Sequence, residues 1–338
     1  MKSEIFKPKS LKIFLIGLSL TFLMAAIPRL EVKSTPLIKP AITVINPLLE
    51  AKQNNFQLSK PIIIQTNGEF EQASAYIVVN LDSGEVIISK NMDKKLPIAS
   101  LTKIMTSVVA LDLAKPEEEF IISENAASQI PTKVMLKPGE NYKLKNLLRF
   151  MLISSANDSA ESVKEGIDKK YGEDTFIKAM NLKAKLIGLK NTHFTNAEGY
   201  DNKNHYSSAG DLTVLSAYAL NKYPEILEIV SKEYEDLTGG QDFRFYLNNW
   251  NGLLGVYPGV FGVKTGNTGQ ADHTTIVASK RAGRNLLTVV LGAPGVLERD
   301  LWAAQLLDAG FEKLAGLPPV QITENQLRAK YSSWKYFK

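Results

Sequence analysis

The sequence predicts an α/β fold: an antiparallel five-stranded sheet flanked by helices, with a mostly helical insertion forming a second subdomain. Two strand-like runs stand early in the globular part, three more stand late, and the stretch between them is apolar at helical spacing. Strands from both ends of a domain make one sheet only if the chain leaves it and returns. A cleft between sheet and insertion is then the natural place for a site.

The early strands are AYIVVN (Ala75 to Asn80) and EVIIS (Glu85 to Ser89), joined through the turn residues Asp82, Ser83 and Gly84 into a hairpin. After Pro97 the character changes. SLTKIMTSVVALDLA has no breaker before Pro116 and is apolar nearly all round, the pattern of a helix buried by its neighbours. Further helices are predicted over 145–153, 175–186 and 209–220. The late strands are VFGVKT (Val260 to Thr265), HTTIVASK (His273 to Lys280) and NLLTVVLGA (Asn285 to Ala293), and an amphipathic helix from Glu298 to Leu314 closes the domain.

Outside this domain the chain reads differently. Lys2, Lys7, Lys9 and Lys12 precede the apolar run Ile13 to Ile27, the charge step of an export signal, so residues 1–30 are read as a signal peptide or an uncleaved membrane anchor. No strong small-x-small cleavage site follows the run, which favours the anchor, with the rest of the chain outside the cytoplasm. Residues 31–70, punctuated by Pro36, Pro40, Pro47 and Pro61, read as a linker; 71–316 form the globular domain and 317–338 a short tail.

Composition narrows the chemistry. At 44% hydrophobic and 22% charged the chain carries enough apolar residues for a sizeable core. A net charge of +5 without a dense basic stripe suits anionic surroundings and gives no reason to expect nucleic acid. There is no cysteine, and the three histidines form no metal-binding cluster, so neither a thiol nucleophile nor a metal is expected. His193 and His205 are read as structural.

Three short motifs remain. Ser100 and Lys103, at i and i+3, share a helix face, and a lysine made neutral by burial can take the hydroxyl proton of the serine. Ser155 and Asn157, in SSANDSA, can line a cleft with a hydroxyl and an amide; the same residues also cap helices well. Lys264, Thr265 and Gly266, in GVKTGNTG, offer a cation, a hydroxyl and a close backbone approach at a strand edge. Each motif is weak alone: S-x-x-K recurs at Ser332 and Lys335, and S-x-N at Ser123 and Asn125.

In this order, S-x-x-K, S-x-N and K-T-G resemble the signature of the penicillin-binding proteins. The flanking text from about Ser74 to Leu314, including LPIASLTKIMTSVVAL and GVKTGNTGQADHTTIVASK, is similar to the serine D-Ala-D-Ala carboxypeptidases. The resemblance implies a β-lactamase/transpeptidase-like fold and a substrate that is a peptidoglycan stem peptide ending in D-Ala-D-Ala. It also implies covalent inhibition by β-lactams and no cofactor. By motif, Ser100 would be the nucleophile, Lys103 its base, and Ser155 and Asn157 the opposite wall. Lys264, Thr265 and Gly266 would bind substrate, with Lys264 also depressing the pKa of Lys103. The N–H groups of Ser100 and Asn267 would form the oxyanion hole. A D,D-endopeptidase, or a wall protein that senses penicillin with little turnover, would use the same motifs. Two departures stand out: Ala197 and Glu198 replace the proline and histidine usual in the family, and no E-x-x-L-N element for rapid β-lactam hydrolysis lies between the second and third motifs.

Overall fold

A computed structural model describes residues 56–60, 67–239 and 243–334; the signal or anchor expected over 1–30 lies outside them. Strands β1 (Ala75–Asn80) and β2 (Val86–Lys90) form the expected hairpin. The chain then passes through a 3-10 turn, Ala99–Thr102, into α1 (Lys103–Leu113). The insertion continues with β3 (Glu119–Ile121), α2 (Glu124–Ser128), β4 (Asn141–Lys143), α3 (Leu144–Ile153), α4 (Asn157–Tyr171), α5 (Thr175–Leu186), α6 (Ala209–Lys222) and α7 (Pro224–Val230). A second hairpin, β5 (Tyr234–Gly239) and β6 (Phe243–Asn248), precedes the late strands β7 (Val260–Thr268), β8 (Asp272–Arg281) and β9 (Arg284–Ala293). Helices α8 (Val296–Ala315) and α9 (Glu324–Ser332) follow.

The main sheet runs β2-β1-β9-β8-β7, antiparallel throughout. Early and late strands therefore meet at the β1–β9 pair, as their positions in the sequence require. Both faces of the sheet are covered, which is why its strands read as nearly continuous apolar runs. Ile77 and Val79 face the insertion, where α1 is buried except at Leu111 and Asp112, while Tyr76 and Val78 face Trp302, Leu307 and Phe311 of α8.

The boundaries of the domain differ from those read in the sequence. Within the expected linker, Ser59 N donates to Gly84 O at 2.9 Å and Ser59 Oγ accepts from Val86 N at 3.0 Å, so 56–60 brace the hairpin. Phe70 belongs to the core behind the sheet. The expected tail holds α9, started by a reciprocal capping box between Thr323 and Gln326 and fixed by the fully buried Leu327. Among the described residues no helix is long and apolar enough to cross a membrane.

Because Leu327 is the one buried residue of α9, Leu327→Ala is expected to lower the free energy of unfolding by about 2–4 kcal/mol. Urea titration of wild type and variant measures this, and a difference near zero would mean that α9 does not belong to the cooperative fold.

Candidate active site

Ser100 sits in the 3-10 turn and Lys103 in the first turn of α1, on one face as the spacing requires. Lys103 is fully buried. Its Nζ lies 3.0 Å from Ser100 Oγ, 2.7 Å from Asn157 Oδ1 and 2.6 Å from the backbone oxygen of Glu198. Burial lowers its pKa to about 7, against the opposing pull of the Glu198 and Asp158 carboxyls. As an ammonium, Nζ donates to all three oxygens. As a neutral amine it still gives its two hydrogens to the amide and carbonyl oxygens, which can only accept, and its lone pair is left for the hydroxyl of Ser100.

The S-x-N motif occupies the turn between α3 and α4. Ser155 has φ +63°, a left-handed conformation that a side chain rarely adopts and that stores on the order of 1–3 kcal/mol. That geometry brings Ser155 Oγ within 2.8 Å of Lys264 Nζ. The helix-cap reading does not hold for this motif: the N-cap of α4 is Ala156, with no side-chain cap bond. The chance match does cap, since Ser123 Oγ accepts from Ala126 N at the start of α2. The Asn157 Oδ1 receives Lys103 and its Nδ2 donates to Ile130 O at 2.9 Å, so it positions the base.

The K-T-G motif lies on β7. Lys264 is 2% exposed and held by Ser155 and by the Thr265 carbonyl, below the cleft surface. Its pKa falls well below the usual value through burial first, then the charges of Lys103 and Arg299. At Lys103 burial is the largest cause of the lowered pKa, and the repulsion between the two amines is seen at Lys264. Gly266 is required by packing. A Cβ there would stand 2.9 Å from Ser100 N and 2.9 Å from the Ala99 Cβ, so the glycine lets β7 close on the serine turn. Gly199 closes on the same turn from the other side, at φ +97°.

These elements enclose a cavity of about 370 Å³ lined by Ser100, Ser155, Thr265, Asn267 and Arg299. Arg299 escaped the sequence reading. It lies at the start of α8, 4% exposed, with Nε and Nη2 on the Asp300 carboxylate and Nη2 also on Trp250 O. An arginine on the buried side of an amphipathic helix is the signal that could have found it. With Thr265 it gives the cavity a cation and a hydroxyl suited to a carboxylate.

Glu198 marks the departure from the family pattern. It is buried, and burial together with the neighbouring Glu161 carboxyl pushes its pKa well up. His205 is neutral, its pKa lowered to about 4 by burial; Nδ1 accepts from Thr195 N and Nε2 donates to Thr102 Oγ1, which bonds on to Ala99 O. It braces the serine turn through Thr102. Among the described residues no group of side chains is arranged to hold a metal ion.

Comparison with known proteins agrees with this geometry. Residues 64–295 match the D-alanyl-D-alanine carboxypeptidase family. D-alanyl-D-alanine carboxypeptidase DacF of Bacillus subtilis is 35% identical over 269 residues, covering 78% of this chain and 68% of its own length. The match to DacA of Haemophilus influenzae spans 62% of that protein. Among solved structures, penicillin-binding protein D2 of Listeria monocytogenes, in its ampicillin-bound form, is 32% identical with a TM-score of 0.62, covering 73% of this chain and 100% of that one. Carboxypeptidase DacD of Francisella tularensis is 28% identical with a TM-score of 0.67, covering 75% and 73%. The fold and site define a penicillin-binding type of serine peptidase. The chain belongs to the D-alanyl-D-alanine carboxypeptidase family.

The lowered pKa of Lys103 sets an expected pH dependence. Below about 7 the amine is protonated and cannot take the Ser100 proton, so kcat/KM for acylation by a penicillin should rise as pH increases through that value. The Glu198 carboxylate raises the Lys103 pKa, so in Glu198→Gln the rising limb should move to lower pH. Stopped-flow acylation across pH 5 to 9 measures both; superimposable limbs would show that the carboxyl does not act on the base.

Proposed function

We propose that this protein removes the terminal D-alanine from peptidoglycan stem peptides by a serine acyl-enzyme route. The observation that carries the reading is Lys103 Nζ, held by two acceptors with Ser100 Oγ at 3.0 Å. Ser100 Oγ attacks the carbonyl carbon of the penultimate D-alanine, and its proton passes to Lys103. The N–H groups of Ser100 and Asn267 receive the oxyanion, and Thr265 with Arg299 receives the substrate carboxylate. When the C–N bond breaks, the departing amine needs a proton. Ser155, held by Lys264 on the far wall, relays to it the proton that Lys103 took from Ser100, which leaves Lys103 neutral again. Lys103 then takes a proton from water as the water attacks the ester, and returns it to Ser100 Oγ as the acyl C–O bond breaks.

A β-lactam follows the same first step, but opening its ring releases no fragment. The adduct therefore stays in the cleft and obstructs water. The membrane is the setting we infer: the lysine step before Ile13 to Ile27 supports a chain anchored by its N-terminal segment at the outer face of the cell membrane.

Fluorescent penicillin labelling with mass spectrometry is expected to find the adduct on Ser100 alone, and none in Ser100→Ala. In Lys103→Ala, both labelling and D-alanine release should fall by about 10³-fold, within the range for loss of a general base. An adduct on another residue would rule out the scheme.

A further inference from the structure

Helix α9 brings to the cavity an aromatic side chain that the three motifs do not include. Tyr331 OH donates to Asp300 Oδ2 at 3.0 Å, the carboxylate that grips Arg299, and its ring lies 4.9 Å from that of Trp334. Trp334 meets Trp250 edge to face at 5.1 Å, and both line the cavity with Ser100, Thr265 and Arg299. Trp250 is itself fixed, its Nε1 donating to Ser154 O and its carbonyl accepting Arg299 Nη2. The neighbours of Trp334 are thus the groups that hold the Arg299–Asp300 pair. Trp334 Nε1 is buried without a hydrogen-bond partner among the described residues. A buried donor left unmatched is destabilising, and a carboxylate next to Arg299 would satisfy it.

We propose that Trp334 walls the leaving-group end of the cleft, so that it accepts a single C-terminal residue with a free carboxylate and excludes chains that continue beyond it. This rests on the carboxypeptidase reading and refines it. The Thr265 and Arg299 side takes the carboxylate of the departing residue, and the indole fills the space where a longer leaving group would run. A crosslinked peptide, whose leaving amine belongs to a second stem, meets that wall. In this chain the choice between exo- and endopeptidase action falls to a residue just after α9.

The test compares wild type, Trp334→Ala and Trp334→Phe in the full-length protein on two substrates, a free pentapeptide and a purified crosslinked muropeptide dimer. Penicillin labelling of Ser100 is followed in parallel. In Trp334→Ala, KM for the pentapeptide should rise about fivefold with a smaller change in kcat, the pattern for lost binding rather than lost chemistry. The ratio of kcat/KM for dimer over pentapeptide should rise about tenfold or more, a difference that one filled or emptied subsite can produce. Trp334→Phe, which keeps a ring, should stay within about threefold of wild type in that ratio. An unchanged ratio in Trp334→Ala with Ser100 still labelled overturns the proposal, as does Trp334→Phe behaving like Trp334→Ala. Failure of wild type to release D-alanine while labelling normally would instead overturn the carboxypeptidase reading itself.

Discussion

The site depends on one buried amine. Lys103 has no exposed surface, and an ammonium group in such a place is strongly disfavoured unless neutralised or matched. The structure around it supplies acceptors for an amine rather than a full counter-charge. One comes from Asn157 at the start of α4 and the other from the backbone of Glu198. Much of the insertion serves to hold those two oxygens. Asn157 is tied to 130–132 through its side chain and its N–H, and the 196–200 loop is closed by Asn196 and bonded to α1 through Thr106 and Ala197 O.

The sheet holds the other half of the site, and the two halves meet with little tolerance. Gly266 on β7 and Gly199 in the loop both press on the Ala99–Ser100 backbone, where any side chain would collide. The serine is thereby gripped between sheet and insertion, so its hydroxyl is placed by backbone packing rather than by its own rotamer alone. Lys264, Lys103 and Arg299 bring three basic side chains into this small volume, and the pKa of Lys264 is depressed by burial first and then by the charges of the other two. A site built this way favours a ligand that arrives with a negative charge.

Legibility in the sequence followed burial. The five strands and α1 were readable because they are covered on both faces, which leaves unbroken apolar runs. Helix α4 was not: NDSAESVKEGIDKKY carries an apolar stripe too thin to stand out among its charges. The β5–β6 hairpin is likewise mixed in polarity. Ser100, Lys103, Ser155 and Lys264 were nameable from their motifs, but the partners of Asn157 and Lys264 depend on contacts between residues 54 and 109 positions apart. Arg299 and Trp334 had no motif. The pair Leu327 and Tyr331, at i and i+4, was the available sign that the tail packs as a helix.

Glu198 shows how a departure from the family pattern can alter the chemistry without touching the nucleophile. Burial pulls the Lys103 and Glu198 pKa values toward each other, one down and one up. An ammonium–carboxylate pair and a neutral amine with a neutral acid carry the same net charge, so burial that disfavours the first brings the second close in energy. Glu161 tips the balance further, because a second carboxyl in contact makes ionisation of Glu198 harder. A neutral Glu198 leaves Lys103 free to act, whereas an ionised Glu198 holds the proton on the amine. The strength of the base is then a property of Lys103, Glu198 and Glu161 together, and a histidine at the position of Glu198 would set it differently.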